Sequence, residues 1–187
     1  MEKKFAALCR MTQKEMKAHV AEALKETHDN IVIDDGFVYA QGTFPVLLIA
    51  HMDTVHEKLP DKIFYSKEDT VMSSPNGIGG DDRCGIHMVL EVIKRFNCSI
   101  LFTEDEEIGC VGAKKFTKTE LAKTLNFNYI IEFDRRGDKD AVFYECENPE
   151  FEDFITREFF VTNYGSCSDI SVVAYMMMII ISGCIRV

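Results

Sequence analysis

The side chains in this sequence best suited to chemistry are acids in short runs and one histidine beside an acid. Thr103-Glu104-Asp105-Glu106-Glu107-Ile108-Gly109 carries four consecutive carboxylates directly after the run Ser99-Ile100-Leu101-Phe102. His51-Met52-Asp53 and the pair Asp81-Asp82 add an imidazole and three further acids, and Asp134 follows another apolar run. Carboxylates crowded into a partly buried pocket disfavour one another's ionisation unless water or cations lie among them. Imidazole nitrogen and carboxylate oxygen are the donors a zinc-type divalent cation takes. The pattern therefore offers two chemistries: hydrolysis at a metal centre, or an acidic loop left in water.

Each piece alone has a plain alternative. His-x-Asp occurs by chance, and Asp81-Asp82 can simply cap the helix that follows, where acids suit the helix dipole. The run 104–107 can be a solvated loop. Asp134, followed by Arg135-Arg136, can be a surface ion pair of little energetic weight. Jointly these alternatives fail to explain why all four pieces sit at the ends of predicted strands or at a helix start.

Around these residues the sequence carries clear secondary-structure patterns. Thr12 caps a helix and Glu15 completes a capping box, with Met16, Val20, Ala23 and Leu24 on one apolar face. Segments 31–33 and 37–40, separated by Asp34-Asp35-Gly36, read as a hairpin. Val46-Leu47-Leu48-Ile49-Ala50 is the continuous apolar run of a central strand covered on both faces. Short strands are expected at 63–65 and 70–73, and helical spacing of Ile86, Val89, Leu90 and Ile93 predicts a helix over 83–96. A strand at 98–102, a helix at 113–124, a strand at 129–133 and an edge strand at 141–144 follow. Helices at 149–160 and 168–178 precede a last strand at 182–187. Strands alternating with helices predict one α/β domain over residues 1–187: a three-layer sandwich with a mixed, mostly parallel central sheet flanked by helices. In such a sheet, ligands bind at the carboxyl ends of the strands. Three of the predicted strands deliver His51, Glu106-Glu107 and Asp134 there, and a helix start delivers Asp81-Asp82.

His51-Met52-Asp53-Thr54-Val55, Gly80-Asp81-Asp82-Arg83-Cys84-Gly85, the Thr103 to Gly109 segment and Asp134 together resemble the zinc-dependent exopeptidase superfamily that includes peptidase T, aminoacylases and related aminopeptidases. The resemblance runs from about Val46 to Val187. It implies that superfamily's α/β fold and two zinc ions per chain, with Co2+ or Mn2+ as alternatives, bridged by Asp81. His51 and Asp134 would complete one site and Glu107 would ligate the other. Asp53 would fix the tautomer of His51. Glu106 would be the general base, taking a proton from the attacking water and passing it to the leaving amine. A cis peptide bond between Asp81 and Asp82 is also implied.

Two departures stand out. Gly165-Ser166-Cys167-Ser168-Asp169 follows Asp134 too closely to leave room for the lid or dimerisation domain of larger relatives, so no lid-mediated dimer is expected. The superfamily's last ligand, a histidine after the final strand, has no counterpart before Val187. The expectation is a domain cut short at its carboxyl end, whose Glu107 site lacks its nitrogen ligand. His56 is placed near the pocket rim, and His87 is read as a packed or surface histidine.

Composition bounds the rest. A net charge of -10 argues against nucleic acid as a partner, because phosphate binding needs a basic face. Seven scattered cysteines without a CxxC pair suit reduced, mostly buried thiols in a cytoplasm. The apolar run 172–181 is too short to span a bilayer, so no membrane role is expected. The reading is a cytoplasmic metallopeptidase acting on a small peptide or acyl-amino acid near a chain end. Its rivals are a metal-binding but catalytically crippled domain of the same fold, and an acidic protein-binding domain without metal.

Overall fold

The computed structural model describes residues 2–68, 71–136, 139–144, 148–158, 161–162, 165, 167–177 and 183–186. Helices α1 (Glu2–Cys9) and α2 (Gln13–Leu24) open the chain. The capping box is present: Glu15 N–H donates to Thr12 Oγ1 (3.2 Å) and Thr12 N–H to Glu15 Oε2 (2.8 Å). Strands β1 (Ile31–Asp34) and β2 (Phe37–Ala40) form the expected antiparallel hairpin. Strand β3 (Phe44–His51) follows, and β4 (Phe64–Tyr65) pairs with β5 (Met72–Ser73) in a ribbon of their own. Then come α3 (Gly80–Val92), β6 (Cys98–Thr103), α4 (Val111–Phe116), α5 (Glu120–Thr124) and β7 (Tyr129–Glu132). The remainder is β8 (Asp140–Phe143), α6 (Pro149–Glu158), β9 (Val161–Thr162), α7 (Asp169–Met177) and β10 (Gly183–Arg186).

The main sheet has the order β1-β2-β6-β3-β7-β10-β8-β9. Its centre, β6-β3-β7-β10, is parallel; β2, β8 and β9 run against it, and β1 runs with it. The chain leaves β3 through α3 to β6 on one side, then crosses back through α4 and α5 to β7 on the other. That reversal opens a crevice at the carboxyl end of β3.

The apolar strand β3 is buried on both faces because a core lies on each. Leu48 and Ala50 pack with Met16, Val20 and Leu24 of α2 and Ile86 and Val89 of α3. Leu47 and Ile49 face the other way, into Ala113 and Phe116 of α4 and Ile170, Val173 and Ala174 of α7. Helix, sheet and helix make the three expected layers.

Two element expectations need correction. The single helix over 113–124 is two helices, because Thr119 starts a second one. Its hydroxyl accepts the Ala122 N–H (3.1 Å) and donates to the Phe116 carbonyl (2.7 Å), replacing backbone bonds at the break. Strand β8 is not an edge strand, since β10 flanks it on one side and β9 on the other; two-residue β9 is too short to leave a periodic signal. Residues 159–160, 178–182 and 187, where the last helices, the apolar run and the final strand were expected to extend, lie outside the described residues.

Cys9, Cys98 and Cys110 are buried free thiols, whereas Cys84 and Cys167 are exposed. No helix among the described residues is long and apolar enough to cross a membrane.

Candidate functional site

Register decides what reaches the crevice. His51 ends β3 opposite Thr103, the last residue of β6, so the 104–110 loop starts level with it. Ile49 pairs with Glu132 on the other side, which brings Asp134 level with His51. Asp81 arrives from the first turn of α3. All six residues singled out in the sequence, His51, Asp53, Asp81, Glu106, Glu107 and Asp134, converge at this point.

His51 is the centre of the cluster and is buried. Its Nδ1 lies 3.0 Å from Asp53 Oδ1, and its Nε2 lies 3.1 Å from Asp81 Oδ1 and 3.9 Å from Asp134 Oδ1. With the Nδ1 proton given to Asp53, the Nε2 lone pair faces two carboxylates. Such convergence of donors needs a cation, either a proton or a metal ion. Without metal it is a proton: burial pulls the imidazole pKa down, but the bonds to Asp53 and Asp81 and the charges of Asp82 and Asp134 together hold it well above the usual range. Ligands bonded at about 2.0–2.2 Å to one tetrahedral ion lie about 3.4 Å apart. The two separations at Nε2 bracket that value, so His51, Asp81 and Asp134 fit a divalent cation.

His51, Glu106 and Glu107 form a second group, with one ligand-type atom of each within 4.8 Å of the others. Glu107 Oε1 is buried with no hydrogen-bond partner among the described residues. Burial first, then the charge of Asp81, pushes the Glu107 carboxyl above its ordinary pKa. A buried carboxylate oxygen without a donor, next to other carboxylates, is the signature a cation would answer.

Asp53 does more than orient His51. Oδ1 also accepts the Glu106 N–H (3.0 Å) and Oδ2 accepts the Glu107 N–H (3.0 Å). Burial would raise its pKa, yet the bonds from His51, Glu106 and Glu107 hold it below the ordinary value. The other acids of the run are accounted for outside the cluster. Glu104 pairs with Lys17 of α2 (2.6 Å) and accepts the Gly36 N–H (3.0 Å). Asp105 adopts a left-handed conformation (φ 60°) and is held by Gln13, which donates Nε2–H to Asp105 Oδ1 (3.0 Å) and accepts its N–H (3.2 Å).

The peptide bond between Asp81 and Asp82 is cis. The capping role considered for the pair belongs to Asp82 alone, whose Oδ1 accepts the Gly85 N–H (2.9 Å) at the true start of the helix. Its Oδ2 accepts the His51 N–H (3.2 Å), so this buried acid ties α3 to the end of β3. Arg83, also buried, donates to the carbonyls of Met52 (2.5 Å) and Met11 (2.9 Å) and braces the turn after His51. The surface ion pair considered for Asp134 is not the arrangement found: Arg135 bonds Asp140 instead, and Asp134 is buried, 3.4 Å from Ser168 Oγ.

Sequence reasoning missed a supporting layer of buried acids. Glu132 accepts from Ser168 Oγ (2.6 Å) and the Ile170 N–H (3.3 Å), and Asp169 accepts from Thr103 Oγ1. Burial pushes the Asp169 carboxyl up to about 7. An acid inside the apolar run 129–133 was the available signal for Glu132. His56 lines a cavity of about 560 Å3 beside Glu107, as the rim placement expected, and His87 packs against Phe5 with ring centres 5.7 Å apart.

A helix-flanked, centrally parallel sheet with a His-and-carboxylate cluster at its carboxyl end defines the zinc exopeptidase class of α/β fold. The profile of Peptidase family M28 matches residues 38–173, and the chain belongs to that family. No curated protein sequence matches it. Among solved structures, a Zn-dependent exopeptidase from Parabacteroides distasonis is similar over 93% of this chain and 75% of its own (TM-score 0.62, 16% identity). A glutaminyl cyclase from Tannerella forsythia is similar over 99% and 80% (TM-score 0.61, 15% identity). A tripeptidase from Staphylococcus aureus matches over 74% of this chain (TM-score 0.58, 20% identity), and the match spans 44% of the tripeptidase. At these identities the likeness is one of fold.

Proposed function

We propose that the chain is a divalent-metal-dependent hydrolase that cleaves a peptide or related amide bond near a chain end, as one catalytic domain in a reducing compartment that keeps its cysteines as thiols. The observation that carries this reading is the convergence of His51 Nε2, Asp81 and Asp134, with the buried, unpartnered oxygen of Glu107 beside them. His51, Asp81 and Asp134 would hold one ion, and Glu107, with Asp81 as the shared carboxylate, would hold a second. Zinc suits this donor set, with cobalt or manganese as substitutes. When bound, the metal supplies Lewis acidity and balances the crowded negative charge.

The remaining work falls to the protein's own groups. Glu106 is the general base: its carboxylate takes a proton from the attacking water and returns it to the leaving amine nitrogen. Asp53 sets the position of that base, since its carboxylate holds the Glu106 and Glu107 N–H groups as well as the His51 ring. Asp82 and Arg83 hold the backbone at His51 and Met52, keeping the imidazole from turning away.

The test is hydrolysis of a short peptide library by the zinc-loaded chain and its Glu106→Ala variant. The expected result is zinc-dependent turnover that falls by about 100- to 10,000-fold in the variant, while zinc content is retained. Zinc uptake without turnover of any peptide would instead favour a metal-binding, catalytically inert domain. That second reading has one observation behind it: among the described residues, no histidine other than His51 joins the Glu107 group.

A further inference from the structure

The Asp81–Asp134 end of the cluster opens into a cavity of about 520 Å3. Phe133 and Met88 give it an apolar wall, and Arg135 and Arg136 give it positive charge. The two arginines are not equivalent. Arg135 donates Nε–H to Asp140 Oδ2 (2.7 Å) and bonds the same oxygen through Nη2, so its charge is answered within the fold. Arg136 is exposed and, among the described residues, has neither a hydrogen bond nor an ion pair.

A guanidinium keeps its charge at any working pH, and its planar fork matches a carboxylate through two parallel bonds. Arg136 stands two residues from Asp134, within about 7 Å along the backbone. A peptide chain advances about 3.5 Å per residue. A carboxylate one residue beyond a bond held at Asp81 and Asp134 therefore falls within reach of the Arg136 side chain.

The opposite cavity, beside Glu107, is the more acidic of the two. Its acids are Asp53, Glu57, Asp105 and Glu107, and its one arginine, Arg83, is buried and donates to backbone carbonyls. A free carboxylate meets the exposed guanidinium of Arg136 on this side and only the engaged Arg83 on that one.

We propose that Arg136 binds the free α-carboxylate of the residue on the leaving-group side of the scissile amide. The substrate class is then a dipeptide, an N-acyl amino acid, or a short peptide losing its last residue, in each case with an unblocked carboxyl terminus. The assignment rests on the hydrolase reading above and names the chain end that the site recognises.

The experiment is calorimetric titration of the zinc-loaded chain with two non-hydrolysable probes. Both are leucyl-leucine analogues in which a ketomethylene group replaces the amide; one ends in a carboxylate and the other in a carboxamide. The carboxylate probe binds about tenfold or more tightly than the carboxamide, the gain expected of a charge-assisted bidentate pair. In Arg136→Gln the two probes bind within about twofold of each other, and in Arg136→Glu the order reverses. Equal binding of the probes by the parent chain, failure to bind either, or a preference that survives Arg136→Gln overturns the assignment. Turnover of leucyl-leucine is read separately. Preferential binding without turnover contradicts the hydrolase reading and keeps the carboxylate site, whereas turnover with equal binding does the reverse.

Discussion

Asp53 accepts from two segments at once: the imidazole of His51 at the end of β3, and the N–H groups of Glu106 and Glu107 after β6. One carboxylate thus fixes both the ring proposed to face the ion and the backbone that carries the proposed base. Replacing it with alanine leaves three buried or half-buried donors without their acceptor. Asp53→Ala should weaken zinc binding by about 10- to 100-fold, the usual effect of removing a group that orients a ligand. Competition with a chromophoric chelator reads this directly, and an unchanged zinc affinity would show that Asp53 is only a turn residue. The four-acid run resolves in the same terms. Glu104 is neutralised by Lys17, Asp105 is clasped by Gln13, and Glu106 and Glu107 are left for the cluster.

Among the elements, α3 is the one whose seating the site depends on most. It brings Asp81 to His51, and Asp82 sews it to β3. Gly85 lets it approach the strand end: a Cβ there would lie 2.2 Å from the Phe133 carbonyl and 2.3 Å from Asp82 Oδ1. Neither backbone nor buried carboxylate has room to yield. Gly85→Ala should therefore cost about 1–3 kcal/mol, lowering Tm by about 2–12 °C for a chain of this size. Thermal unfolding of the metal-free protein checks it, and an unshifted Tm would mean that α3 is seated less closely.

The strands that carry the candidate site were legible because His51, Asp134 and the acidic run 104–107 follow apolar runs closely, and an apolar run buried on both faces has few alternative readings. Thus β3 and β6 were found to within two residues at each end, and the candidates His51, Glu106, Glu107 and Asp134 came with them. Glu132 and Asp169 were not found, and Asp82 was read at the helix start without its bond to His51. Each is buried against a donor distant in sequence, Ser168 for Glu132, Thr103 for Asp169 and His51 for Asp82, and such pairings exist only once the sheet order is known. The break at Thr119 was hidden for a different reason: the helical pattern continues through it, while a local hydroxyl cap competes with the backbone.

For the molecule as a whole, two cores on opposite faces of one sheet hold the strand ends level, so acids from four places in the sequence meet around a single imidazole. That gathering of like charge is stable only with positive charge among it. In the metal-free chain the imidazole carries it; on the proposed reading a divalent ion takes its place. The most direct measurement is equilibrium zinc binding to the purified chain, read alongside its Tm. At least one equivalent should bind tightly, with a second, weaker one at Glu107. At a free zinc concentration about 100-fold above Kd, the folded state should gain about 2.7 kcal/mol, and Asp81→Ala should abolish both the binding and the gain. A chain that takes up no zinc, cobalt or manganese, and whose Tm none of them moves, would contradict the account.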